Sequence, residues 1–171
     1  MLASIVVTIL FNAGLIFLDD LALGLGVTDE WWRCATTLFV YSQTGYEIAV
    51  LGALFLFGWL LERRHGAWAT LFVFFAGGAG GMALAILAGD ADLALGANGA
   101  ALALLCAWAV RDLLGRRRGE EDDSDMLGVL AIAVVLVLLP LAAEEASAVA
   151  GLGGAAIGLL LGLPLARVGE R

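Results

Sequence analysis

The chain has 171 residues, of which 62% are hydrophobic and 15% charged, with 23 Gly and 2 Pro. Soluble domains run nearer half apolar and about a quarter charged, so an ordinary soluble domain is excluded and an all-α membrane protein is expected. The net charge of −8, with nine basic residues that are all arginine, leaves no electrostatic case for a nucleic-acid partner.

The charged residues gather in short runs between apolar blocks. A hydrocarbon core about 30 Å thick takes about 17–25 apolar residues to cross. Lipid offers the backbone no hydrogen-bond partner, so such blocks must be helices. Six spans are predicted in chain order, at 2–18, 36–61, 67–88, 94–114, 126–142 and 146–165, in one domain covering 1–171. The breaks are Asp19-Asp20, Glu62-Arg63-Arg64-His65-Gly66, Gly89-Asp90-Ala91-Asp92, the run Arg116 to Asp125, and Glu144-Glu145. Pro140 is expected to stop or kink the fifth span. Met1 to Leu18 lacks the basic start of a cleaved signal peptide, so none is expected.

Arginine bias orients the bundle, because positive residues stay cytoplasmic. With the N-terminus inside, Arg63, Arg64, Arg111, Arg116, Arg117, Arg118, Arg167 and Arg171 all fall inside, and only Arg33 falls outside. Both termini are therefore expected in the cytoplasm. Trp31 and Trp32, and Trp59 and Trp68, suit the two interfacial belts. Cys34 and Cys106 are expected too far apart for a disulfide. No Cys/His cluster suggests a metal, and no cofactor is implied.

Four motifs stand in order along these spans. Trp32-Arg33 precedes Thr37 and Phe39; Gly58, Glu62 and Gly66 form Gly-x-x-x-Glu-x-x-x-Gly; Gly96 and Gly99 bracket Asn98; Gly154 and Gly158 lie on the last span. Small residues four apart also arise wherever membrane helices pack closely. The Trp-Arg and Gly-x-x-x-Glu elements do not follow from packing. Taken together, the pattern resembles the rhomboid family of intramembrane serine proteases, over nearly the whole chain. The resemblance implies a six-helix rhomboid-like bundle, in which Trp32, Arg33, Gly58, Glu62, Gly66, Gly96, Gly99, Gly154 and Gly158 are structural.

The resemblance also implies a Ser–His dyad with oxyanion donors. Here the serine position is Asn98 and the histidine position is Gly151. The positions where the family has His, His and Asn on its second helix are Tyr41, Tyr46 and Val50, and the tyrosine that often stacks on the imidazole is Leu102. Asn98 cannot supply an alkoxide, and a base must lie within hydrogen-bond reach of its nucleophile. The four serines, Ser4, Ser42, Ser124 and Ser147, have no histidine or lysine expected beside them, and His65 is expected in a cytoplasmic loop. The expectation is a non-enzyme, a pseudoprotease that binds transmembrane segments of client proteins in the lipid bilayer, in a prokaryotic plasma membrane. An active rhomboid protease with an atypical site, and a small transporter or channel, stay open as alternatives. Glu47 within the second span either reaches water at the outer surface or lines an inherited pocket with Tyr41, Gln43, Tyr46 and Asn98.

Overall fold

A computed structural model of the chain describes residues 2–15, 23–24, 32–89, 93–117 and 126–168. Asp19-Asp20, Trp31, Asp90 to Asp92 and the charge run from Arg118 to Asp125 lie outside the described residues. The described helices are α1 (Leu2–Asn12), the short α2 (Arg33–Thr36), α3 (Thr44–His65), α4 (Ala67–Ala88), α5 (Asn98–Arg117), α6 (Met126–Leu138) and α7 (Ala148–Val168). The protein is an all-α membrane protein. Its only described strand pairing is two residues long, with Leu23 opposite Ala94 and Gly24 opposite Leu93.

Three helices, α3, α4 and α7, are long and apolar enough to cross a membrane. The helix α5 has 20 residues, about 30 Å at 1.5 Å per residue, but carries Arg111, Asp112, Arg116 and Arg117. It is the middle of the molecule. Every residue from Asn98 to Leu105 is buried, and α7, α4 and α3 all pack on it. A helix apolar all round is one that needs partners on every side.

The α5–α7 contact is made by small residues. A Cβ on Gly154 would run into the Gly99 carbonyl, one on Gly158 into the Ala103 carbonyl, and one on Gly162 would lie 2.9 Å from Ala107 Cα. Three glycines four apart thus face Gly99, Ala103 and Ala107, also four apart. The backbones approach to contact along this seam, which substitutes dispersion for a hydrophobic effect that lipid does not supply. On α4, Gly77 meets Ala103 and Gly81 meets the Ala150 carbonyl, so α4 joins the same packing.

Several element boundaries differ from the sequence expectation: α1 ends at Asn12 where the first span was expected to reach 18, and α5 begins at Asn98 where the fourth was expected from 94. The second span was expected from residue 36, but α3 starts at Thr44. Residues Thr37–Phe39 form a 3-10 turn, and the chain is extended at Val40 and Gln43. At the other end α3 runs on through Glu62-Arg63-Arg64 to His65, where basic residues favour the helix C-terminus. Gly66, at φ +82°, ends it. The fifth span closes as Pro140 requires, α6 giving way to a 3-10 turn at Leu139–Leu141. The last helix continues three residues beyond expectation and holds Pro164 within it, which neighbouring helices tolerate in a membrane.

Candidate functional site: the head of α5 and the helix facing it

The turn into α5 is built by backbone. Gly96 has φ +81°, a conformation that L side chains avoid, and a Cβ there would lie 2.6 Å from Tyr46 Cε1 and 2.8 Å from Tyr41 Cε1. Neighbouring segments meet the backbone donors on the way in: Leu95 N–H donates to the Glu145 carbonyl at 2.8 Å and Gly96 N–H to the Thr37 carbonyl at 3.1 Å. The first turn of a helix has orphan N–H groups, and here one of them, on Ala97, donates to the Tyr41 hydroxyl at 3.2 Å. The Tyr46 hydroxyl donates to the Leu95 carbonyl at 3.0 Å, and the two rings lie 5.6 Å apart. Two phenols therefore fill the space in front of this helix end.

Asn98 is the first residue of α5 and is 3% exposed. Its Nδ2 donates to the Leu136 carbonyl of α6 at 3.2 Å, while its Oδ1 has no partner among the described residues. Gly151 faces it: a Cβ on Gly151 would lie 3.0 Å from Asn98 Nδ2 and 3.3 Å from Leu102 Cδ1. The residues at the nucleophile, base and stacking positions implied by the resemblance are thus neighbours in space. None of Asn98, Gly151 and Leu102 has a group that attacks a carbonyl or takes a proton in turn. Val50 is fully buried in the same core as Tyr46 and Leu102.

The five residues expected to share a pocket divide. Tyr41, Tyr46 and Asn98 cluster as described, whereas the Gln43 side chain is exposed. Glu47 turns toward α1, where its Oε1 accepts a hydrogen bond from Thr8 Oγ1 at 3.0 Å. The shallow cavity beside Glu47 is lined by Ile5, Thr8, Ile9, Ile48, Leu51 and Gly52, and not by Asn98. Helical geometry gives the reason, since Tyr46 and Glu47 are successive residues about 100° apart around α3.

Among the structural positions, the Arg33 guanidinium stacks 5.4 Å from the exposed Trp32 ring. Glu62 is exposed. Gly58 is loosely packed, its nearest neighbour being Leu104 at 3.9 Å from a built Cβ. A part-buried ion pair lies two residues further on, where Arg64 reaches Asp112 of α5 with Nη1–Oδ1 at 2.8 Å and Nη2–Oδ2 at 3.3 Å. The same guanidinium covers the Trp108 ring at 4.6 Å.

Glu145 reads in sequence as part of a charged break between spans, yet it is 2% exposed. Its carboxylate accepts from Ser42 N–H at 2.8 Å, from Gln43 N–H at 3.0 Å, and from the Ser42 hydroxyl. It caps α3, whose own residues supply no side-chain cap, from a loop 103 residues away in sequence. Nothing in the local pattern marks such a cap. Ser147 is engaged in the same loop, its Oγ accepting from Ala150 N–H at 3.0 Å at the start of α7.

Comparison with known proteins agrees with this arrangement. A 33% identical stretch of 104 residues, 58% of this chain, is shared with the RHOMBOID-like protein 9, chloroplastic, of Arabidopsis thaliana. That stretch is 24% of the plant protein, so the chain spans about a quarter of the length of the curated relative it matches. The family model described as the Rhomboid domain matches residues 28–168, from before α2 to the end of α7, and with its glycine seam, its turn at Gly96 and its facing positions 98 and 151 the chain belongs to the rhomboid family.

Proposed function

We propose that this protein is a rhomboid without proteolytic chemistry, one that holds transmembrane segments of other membrane proteins. The observation that carries the reading is the contact between Asn98 and Gly151, where a serine and a histidine would have to meet. The Ala97 N–H is also already taken by the Tyr41 hydroxyl, and an N–H so engaged is not free to receive an oxyanion. Six spans with both termini cytoplasmic belong to the same proposal, supported by the arginine bias and by α5 and α6 beside the three long apolar helices. A prokaryotic plasma membrane is the setting of this proposal; the chloroplast is the compartment in the plant relative's name.

Client segments enter beside α6. Leu136 is the only buried residue of that helix, and the hydrogen bond from Asn98 to its carbonyl joins α6 to α5. The alternative of an active protease draws on one observation, the Ser42 hydroxyl donating to Glu145. That carboxylate already accepts two backbone N–H groups at the start of α3, which makes it a cap. The test places the purified protein in liposomes with a model transmembrane substrate and a fluorophosphonate probe. No cleavage and no labelling are expected, and a photo-crosslinking residue at Ile132 should capture membrane-spanning segments in native membranes. Labelling that disappears in Ser42→Ala or Ser147→Ala would overturn the reading. Asn98→Ser with Gly151→His is expected to stay silent, since both phenols remain in place; adding Tyr46→His and Val50→Asn gives the best chance of turnover.

A further inference from the structure

Glu47 takes no part in the degenerate dyad, and its surroundings point to a different ligand. It is 6% exposed, yet its carboxylate has one hydrogen-bond partner, the Thr8 hydroxyl, and no cation pairs with it among the described residues. A carboxylate in a spanning helix is costly and is usually matched to a partner or a cavity. The cavity is present. Between α1 and α3 lies a space of about 380 Å³ lined by Ile5, Thr8, Ile9, Glu47, Ile48, Leu51 and Gly52. Gly52 opens it further, because a Cβ built there meets nothing within 4 Å.

Depth decides what the cavity fits. Glu47 is the fourth residue of α3, which puts it about 5 Å from the end of a helix rising 1.5 Å per residue. That is the level of lipid headgroups, and the helix N-terminus favours negative charge there. Leu51 and Gly52 lie one turn further toward the membrane centre, so the space has an acidic end at the interface and an apolar stem below it. We infer that this groove holds a zwitterionic aminophospholipid, with the primary ammonium of its headgroup donating to Glu47 and Thr8 and its chain lying along Ile5, Ile48 and Leu51. An ammonium supplies the counter-charge, and donors beyond the Thr8 hydroxyl, that no described residue offers Glu47. A quaternary trimethylammonium supplies the charge without the donors.

The inference is independent of client binding and of the dyad. Its test is native mass spectrometry on the full chain purified from mixed micelles holding equal phosphatidylethanolamine and phosphatidylcholine of identical acyl chains. The wild type should retain phosphatidylethanolamine over phosphatidylcholine by roughly tenfold, the scale of one charge-assisted hydrogen bond. Glu47→Gln should abolish that preference, and Gly52→Phe, which fills the groove while leaving Glu47 and Thr8 in place, should reduce binding of both lipids. Should Glu47→Gln fail to fold, the wild-type preference and the lipid loss in Gly52→Phe decide together. Equal retention of the two lipids by the wild type, a preference that survives Glu47→Gln, or undiminished retention of both lipids by Gly52→Phe would overturn the proposal.

Discussion

At the scale of single residues, the head of α5 keeps a closely packed polar position at Asn98. Asn98 keeps a polar group at the head of α5 and turns it to the Leu136 carbonyl, while Gly151 packs so closely that a Cβ there would press on the Asn98 amide and Leu102. The most consequential polar residue near this end is Glu145. Ser42, Gln43 and Leu95 all donate to it, the first two through its carboxylate and the third through its carbonyl. Removing the carboxylate would take the acceptor from two part-buried N–H groups, for which about 1–3 kcal/mol per fully buried unsatisfied donor is an upper bound. Glu145→Ala is therefore expected to lower the thermal midpoint in detergent clearly, and Glu145→Gln by less, because an amide oxygen still accepts. A midpoint in Glu145→Ala equal to that of the wild type would show that water replaces the cap.

At the scale of elements, the glycines sort into two kinds that sequence spacing does not separate. Gly154 and Gly158 press on the backbone of α5, whereas Gly52, inside α3, faces open space. The physical demand is opposite in the two cases. Gly158→Val places a Cβ against the Ala103 carbonyl, and overpacking of this kind costs about 1–3 kcal/mol, with backbone on both sides leaving little room to adjust. Gly52→Ala removes only a flexible residue from a helix interior, where alanine is better by about 0.5–1 kcal/mol. Thermal unfolding of the two variants should move in opposite directions. A shift of the same sign in both would mean that the seam is looser than its geometry. The Gly-x-x-x-Glu-x-x-x-Gly element behaves differently again: Gly66 terminates α3 by its positive φ, while Gly58 touches only one side chain.

At the scale of the whole molecule, the end of the bundle away from the dyad is tied by Arg64 and Asp112, which join α3 to the central helix. Asp112 is 5% exposed and Arg64 27% at the side chain. Breaking a buried pair by removing one partner costs about 3–5 kcal/mol when both are fully buried, and less here because Arg64 stays in partial contact with water. Arg64→Ala and Asp112→Ala should each lower the midpoint, and the pair Arg64→Met with Asp112→Leu should recover part of the loss, since no charge is left buried. Glu62→Ala, at an exposed position two residues earlier, should change it little. A larger loss in Glu62→Ala than in Arg64→Ala would return the anchoring role to the sequence motif.

What sequence alone determined follows from terms that are local. Apolar block lengths place α4 at Ala67–Ala88 as expected and locate the other helices to within several residues, because the bilayer imposes a length and backbone satisfaction imposes a helix. The motif order points to the rhomboid family, because the Trp-Arg pair and the glycine spacing are read directly from residue types, whereas the turn at Gly96 falls inside the span expected at 94–114 and only the structure shows it. Partner choice was not legible. The start of α3 at Thr44 depends on a carboxylate from another loop, the direction of Glu47 on a threonine of α1, and the part-buried ion pair on which arginine of Arg63-Arg64 meets α5. Each of these is a contact between residues 39 to 103 positions apart. Helical periodicity carries no information about such pairs, so only the tertiary structure, by bringing the helices to contact distance, could decide them.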